Sequence, residues 1–136
     1  MISEMNSILF DSFAMLRFFY QEPGAERVRE LLKVAERNYS PRLISAINVG
    51  ELIYIVQRRS GEQAKLQMLV KLKSLGFTIL SCPNELIFKA AELKARFAIS
   101  YADTFAVASA IEHNAVLVTG DPEFRQVEHL LNILWV

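Results

Sequence analysis

Five short apolar runs punctuate this chain, Ile8 to Phe10, Leu43 to Ser45, Phe77 to Leu80, Ala115 to Val118 and Ile133 to Val136, and longer stretches with helical periodicity lie between them. Runs so short and so apolar read as buried strands. A strand, a helix and a further strand in succession place the two strands parallel, because the connection crosses back over the sheet before the next strand begins. The expected fold class is therefore α/β with a mainly parallel five-stranded sheet. A length of 136 residues and a hydrophobic content of 52% suffice for one sizeable core and not for two, so a single domain over residues 1–136 is expected.

The helices can be placed from their stripes and end signals. Ser12 to Tyr20 reads as a first helix, broken before Pro23-Gly24, and Ala25 to Arg37 as a second with Val28, Leu31, Leu32 and Ala35 on one side. A third runs from Ala46 to Arg59 with Val49, Leu52, Ile53 and Val56 as its apolar stripe. Ser60 and Gln63 match a capping box that would open a helix ending near Gly76. Asn84 to Phe97 forms the next, and Ser100 with Asp103 makes a second capping box for a helix finishing near Asn114.

Lysine plus arginine and aspartate plus glutamate each total 15, so no global field announces a polyanionic partner, although a local basic patch remains compatible with phosphate contacts. Cys82 is the one cysteine, which excludes an internal disulfide and fits a reducing compartment. Beside Leu80 and Pro83 it reads as a small apolar residue near a strand end. No basic segment followed by a long apolar run opens the chain, and no stretch of about 20 residues lacks charge. The expectation is a cytoplasmic protein with no membrane partner.

Four carboxylates stand where a fold must compensate them: Asp11 after the first strand, Glu51 within the third helix, Asp103 in the first turn of a nearly uncharged helix, and Asp121 after the fourth strand. Taken singly, each has a plain alternative. Asp11 and Asp121 suit helix N-caps, the latter with Pro122 at the first helical position. Asp103 suits a capping box favoured by the helix dipole, and Glu51 lies off the apolar stripe of its helix. Gly50, costing about 1 kcal/mol relative to Ala in a helix, suggests close approach of another segment that would turn Glu51 toward a cleft. Ser12 is available as a hydroxyl contact or cap, and Asn48 as a partner for Glu51. Ligands of crevices in open α/β sheets gather beyond the carboxyl ends of strands, where Asp11 and Asp121 fall. Oxygen ligands without a histidine or cysteine cluster favour Mg²⁺ or Mn²⁺ over zinc. His113 and His129 read as structural or solvated.

Four segments together carry a resemblance: Leu9-Phe10-Asp11-Ser12, Ser45-Ala46-Ile47-Asn48-Val49-Gly50-Glu51-Leu52, Tyr101-Ala102-Asp103-Thr104-Phe105-Ala106-Val107-Ala108-Ser109-Ala110, and Leu117-Val118-Thr119-Gly120-Asp121-Pro122-Glu123-Phe124. In order and spacing the chain resembles the PIN-domain nucleases and, within them, the VapC toxins of prokaryotic toxin-antitoxin pairs. The resemblance implies a three-layer α/β/α sandwich and an acidic pocket holding Mg²⁺ or Mn²⁺. It assigns Asp11, Glu51, Asp103 and Asp121 as catalytic and metal-binding residues, Asn48 and Thr119 as supporting polar positions beside Ser12, and Phe124 as a packing residue. It further implies RNA as substrate, a homodimer, and a small VapB-like antitoxin whose tail blocks the pocket. Arg17, Arg58, Arg59, Lys65 and Arg96 are candidate contacts to RNA phosphates, although a solvated charged face is the plainer reading of any one of them. Two alternatives stand beside the toxin: an RNA-processing nuclease outside any toxin pair, and a non-catalytic binding module whose carboxylates only cap helices. Phosphatases of the haloacid-dehalogenase type would need a second aspartate where Phe13 stands.

Overall fold

The structure, a computed structural model, describes residues 7–136. The chain runs β1 (Ile8–Phe10), α1 (Ser12–Phe19), α2 (Ala25–Arg37), β2 (Arg42–Ser45), α3 (Ala46–Ser60), α4 (Glu62–Ser74), β3 (Phe77–Leu80), α5 (Asn84–Arg96), α6 (Tyr101–Glu112), β4 (Val116–Thr119), a 3-10 helix (Pro122–Val127) and β5 (Ile133–Trp135). Every neighbouring pair of strands is parallel, in the order β3-β2-β1-β4-β5. The five apolar runs thus form the five strands.

Alternation along each strand divides the interior in two. Ile8, Phe10, Ile44 and Val118 join Met15 and Phe18 of α1, Val28 and Leu31 of α2, Leu52 and Val56 of α3, and Met68 and Leu72 of α4. Leu9, Leu43 and Leu117 face the other way, onto Leu86, Ala90 and Leu93 of α5, Phe105, Val107 and Ala110 of α6, and Phe124 and Val127 beyond β4. The result is a three-layer α/β/α sandwich with β1 at its centre, all three of its residues fully buried. Each large side chain buried this way contributes roughly 1.5–3 kcal/mol.

Two local expectations give way. Ser60 does not cap α4: it ends α3 and its hydroxyl pairs with the Tyr20 hydroxyl at 2.8 Å. Gly61, at φ +91°, occupies the cap without a side-chain hydrogen bond, since a backbone conformation that L side chains rarely adopt separates the two helices. Gly50 is exposed and a Cβ there would meet nothing within 4 Å, so no segment approaches it. The close approach occurs at Gly120 instead, where a Cβ would lie 2.7 Å from Phe13 Cε1 and 2.8 Å from the Val136 carbonyl oxygen. The box at Ser100 does form its first half, Ser100 Oγ accepting the Asp103 N–H at 3.1 Å.

These two glycines should therefore respond oppositely to alanine. Gly50→Ala is expected to stabilise the fold by about 0.5–1 kcal/mol. Gly120→Ala is expected to destabilise it by about 1–3 kcal/mol through overpacking against backbone. Urea denaturation of both variants checks the pair, and equal shifts would contradict the geometry.

Candidate functional site

The strand order creates the site. From β1 the chain builds outward through β2 and β3, then returns to the other side of β1 for β4 and β5. The order therefore reverses between β1 and β4, and in such sheets a crevice opens beyond the carboxyl ends of the two strands. Asp11 follows β1 and Asp121 follows β4 after one intervening glycine.

Asp11 is 1% exposed and caps α1, its Oδ1 accepting the Ala14 N–H at 2.8 Å. Its Oδ2 accepts from the Thr119 hydroxyl at 2.5 Å, and Thr119 Oγ1 in turn accepts the Asp121 N–H at 3.1 Å. The Asp11 N–H closes the same junction by donating to the Val118 carbonyl at 3.2 Å. Asp121 caps the 3-10 helix, with Oδ1 accepting the Glu123 N–H at 3.0 Å and Pro122 at the start of the helix. Both capping alternatives raised by the sequence are thus realised, and for Asp121 the cap engages a single carboxylate oxygen.

Asp103 comes from the opposite layer. From Asp103 to Ala110 every residue of α6 is buried, which holds the first turn rigidly against the sheet edge. Carboxylate oxygens of Asp103, Asp121 and Glu123 lie within 4.8 Å of one another, one from each residue. Glu51 is half-buried and held by two donors on the same oxygen, Ser12 Oγ at 2.8 Å and Asn48 Nδ2 at 2.9 Å. It is these partners, not a segment over Gly50, that turn Glu51 inward. Asn48 is fully buried, and its Oδ1 has no hydrogen-bond partner among the described residues.

Burial pushes the Asp11 carboxyl up to about 7, against the lowering effect of its bonds from Thr119 and Ala14, and the charges of Asp103 and Asp121 add to the rise. Burial likewise pushes Asp103 up to about 7, opposed by the Ser100 hydroxyl and reinforced by Asp121, Glu51 and Glu123. Five carboxylates therefore feel one another at this edge, with no basic side chain bonded to any of Asp11, Glu51, Asp103 or Asp121 among the described residues. A hard divalent cation fits this donor set: oxygen ligands only, mutually repelling, and each stabilised in its ionised form by added positive charge.

Glu123 is the member that sequence reasoning missed. Its signal was available in Asp121-Pro122-Glu123, because a helix capped by Asp121 keeps its first residues at the same strand end. The cations are more scattered. Arg17 packs 4.7 Å from the centre of the Phe13 ring, the ring that meets Gly120, and donates to the Pro23 carbonyl at 3.4 Å. Arg96 closes α5 beside Phe97, 5.0 Å from its ring, in the connection leading to the Ser100 cap. Arg58 lies over Tyr54 and Arg59 over Tyr20, both in the last turn of α3, and Lys65 lies in α4. The residue Phe124 is fully buried in the cluster with α5 and α6, consistent with a packing role.

The PIN domain, as a family, matches residues 8–130. No curated protein sequence matches the chain significantly. Among solved structures, VapBC2 of Rickettsia felis bound to a DNA fragment from its promoter is similar with a TM-score of 0.77 at 21% identity, over 93% of this chain and 96% of that one. VapC20 of Mycobacterium tuberculosis, a Sarcin-Ricin loop cleaving toxin, gives 0.74 at 17% identity, over 89% and 95%. DNA-bound VapBC of Salmonella typhimurium gives 0.72 at 20% identity, over 96% and 98%.

Two measurements test this electrostatic arrangement. Because Asp11 and Asp103 titrate near 7 when folded against an ordinary 3.8, the metal-free folded state holds protons that the unfolded chain has already lost. Its stability should be highest below the ordinary carboxylate range, fall as pH rises toward 7, and level off above. Asp11→Asn should accordingly stabilise the metal-free protein at pH 8 by on the order of 1–3 kcal/mol and change little at pH 4, read by urea midpoints. Separately, Glu123→Gln should weaken Mn²⁺ binding about tenfold or more in calorimetry. Unchanged affinity would remove Glu123 from the site.

Proposed function

The chain belongs to the PIN-domain family, and from that premise we propose that it is a Mg²⁺- or Mn²⁺-dependent endoribonuclease, the toxin of a VapBC-type pair. The observation that carries this reading is the convergence of Asp103, Asp121 and Glu123 at the strand-order reversal, next to a buried Asp11 that no basic side chain among the described residues pairs with.

In this reading Asp103, Asp121 and Glu123 supply oxygens to the ion. Asp11 is either a further ligand or the post that positions Asp121 through Thr119, since its two oxygens already accept hydrogen bonds. Glu51, fixed through Oε1 by Ser12 and Asn48, is oriented to contribute its other oxygen to the ion or to a water. A bound divalent ion supplies Lewis acidity toward a phosphoryl oxygen and makes a water nucleophilic near neutral pH. Arg17 and Arg96 are the cations best placed to meet RNA phosphates at this edge, while Arg58, Arg59 and Lys65 would serve only a longer strand. Ends bearing a 3′-hydroxyl and a 5′-phosphate are expected.

Partner assignments follow from the relatives. Structures of VapBC assemblies carrying DNA, with folds similar to this chain, support a small cognate antitoxin here, and we infer a homodimer on the same family grounds. No helix among the described residues is long and apolar enough to cross a membrane.

The test is incubation of purified protein with total RNA, with and without Mg²⁺ or Mn²⁺, followed by mapping of the cut ends. Asp11→Asn and Asp103→Asn, shown to be folded by circular dichroism, should each lose about 10²-fold or more of the metal-dependent cleavage. Full activity in either variant, or cleavage indifferent to chelator, would sink the assignment. A short DNA-binding-type reading frame immediately upstream would favour the toxin over RNA processing.

A further inference from the structure

The 3-10 helix Pro122–Val127 repeats every three residues, so its side chains fall along three edges. Phe124 and Val127 form the edge that enters the core. Arg125 faces outward and pairs with Glu128 at 3.6 Å. The third edge is Glu123 and Gln126, continued by His129 in the turn beyond. All three meet the junction between α5 and α6: Glu123 joins the carboxylate cluster with Asp103, Gln126 bonds Ala98, and the His129 ring lies 5.9 Å from that of Phe97.

The Gln126 contact is double. Its Oε1 accepts the Ala98 N–H at 3.1 Å and its Nε2 donates to the Ala98 carbonyl at 3.2 Å, so the side-chain amide pairs with one residue's backbone as a neighbouring strand would. Two bonds to one residue fix orientation as well as distance. The same Nε2 lies 3.5 Å from the Glu123 carbonyl, which keeps the arm against its own helix. The junction has little slack to absorb a change. Ala98 stands two residues before Ser100, whose Oγ accepts the Asp103 N–H. Between them Ile99 is 1% exposed, and its carbonyl accepts from Lys94 Nζ at 2.7 Å. A displacement at Ala98 is therefore carried into the first turn of α6.

The need for such a tie follows from charge. Asp103 stands on one side of this contact and Asp121 with Glu123 on the other, and like-charged carboxylates drive the two sides apart. Phe124 and Val127 pack in one cluster with Phe105 of α6, but apolar contacts are non-directional and do not fix the rotation of the 3-10 helix about its buried edge.

We propose that Gln126 is a positioning residue for the acidic cluster: its amide, paired with the Ala98 backbone, sets the rotation and distance at which Asp121 and Glu123 face Asp103. The purpose of the tie rests on the reading of this edge as a cation site, while the tie itself is defined by this chain alone.

Two variants test it. Gln126→Met keeps the length of the side chain and removes both bonds, and Gln126→Asn keeps the amide on an arm one methylene shorter. Amide chemical shifts of the metal-free chain are compared first. For Gln126→Met the changes should reach Asp103 on one side and Asp121 on the other; changes confined to Ala98 and position 126 would overturn the proposal. Calorimetric titration with Mn²⁺ follows. Gln126→Met should bind about three- to tenfold more weakly, less than the roughly tenfold to hundredfold lost with a partner bonded to a ligand itself, and Gln126→Asn should fall between it and the unsubstituted chain. Without metal the urea midpoint should hardly move, because relief of repulsion offsets the lost bonds, whereas the stabilisation gained on adding Mn²⁺ should shrink to match the weaker affinity. A merely structural role would lower stability equally with and without Mn²⁺, and that result, or unchanged affinity, would overturn the assignment. Ser74→Ala, which removes an exposed bond on α4, should leave Mn²⁺ binding unaltered. If the unsubstituted chain binds no Mn²⁺, the cation reading fails and the amide shifts alone decide the tie.

Discussion

Everything at the carboxyl edge depends on one buried aspartate. Asp11 ends the central strand, caps the first helix, and through Thr119 reaches across to the strand on the other side of the reversal. A carboxylate so enclosed cannot be a passive cap: water would satisfy an exposed N-cap at no electrostatic cost, whereas here burial and like charges act together. What offsets that burden within the chain is geometric order, two hydrogen bonds on Asp11 and a third relayed to Asp121. What offsets it fully is positive charge, and the donor chemistry around it is that of a hard cation.

The surrounding architecture can be seen as support for this edge. α6 is buried from Asp103 to Ala110 through its apolar packing against the sheet and α5, and that packing fixes the first turn that carries Asp103. α3 contributes Glu51 through Ser12 and Asn48, which ties the first and third helices together beside the crevice. Phe13 and the Val136 carbonyl close on Gly120, leaving the β4 turn no room to relax away from Asp11. Rigid placement of first contacts by a second ring of hydrogen bonds is the usual requirement for a productive metal site.

Much of this was legible in the sequence, for identifiable reasons. The strands were readable because all are short and apolar, with β1 and β4 wholly buried and the edge strands β3 and β5 partly open, so apolar runs marked them without help from alternation. Asp11, Asp103 and Asp121 were readable because strand ends and helix starts fix where a side chain emerges. Glu51 was readable as a position but not for its cause, since Gly50 proved exposed and the orienting bonds come from Ser12 and Asn48. Glu123 was hidden by its own ordinariness, an acid in the first turn of a short helix, and only the pairing with Asp121 gives it weight. Ser60 misled because a serine three positions before a glutamine satisfies the pattern whether or not Gly61 intervenes.

The bond from Thr119 to Asp11 joins residues 108 positions apart. Asp103, Asp121 and Glu123 likewise follow Asp11 by more than ninety positions, so an emerging chain carries Asp11 and Glu51 long before the acidic edge can exist. Contacts this distant in sequence form late and slowly, after the loop-closure entropy has been met. The half-made chain thus carries Asp11 and Glu51 with no partners to complete a cation site. By the order of the strands, the acidic edge cannot be assembled until β4 and the turn after it have been made.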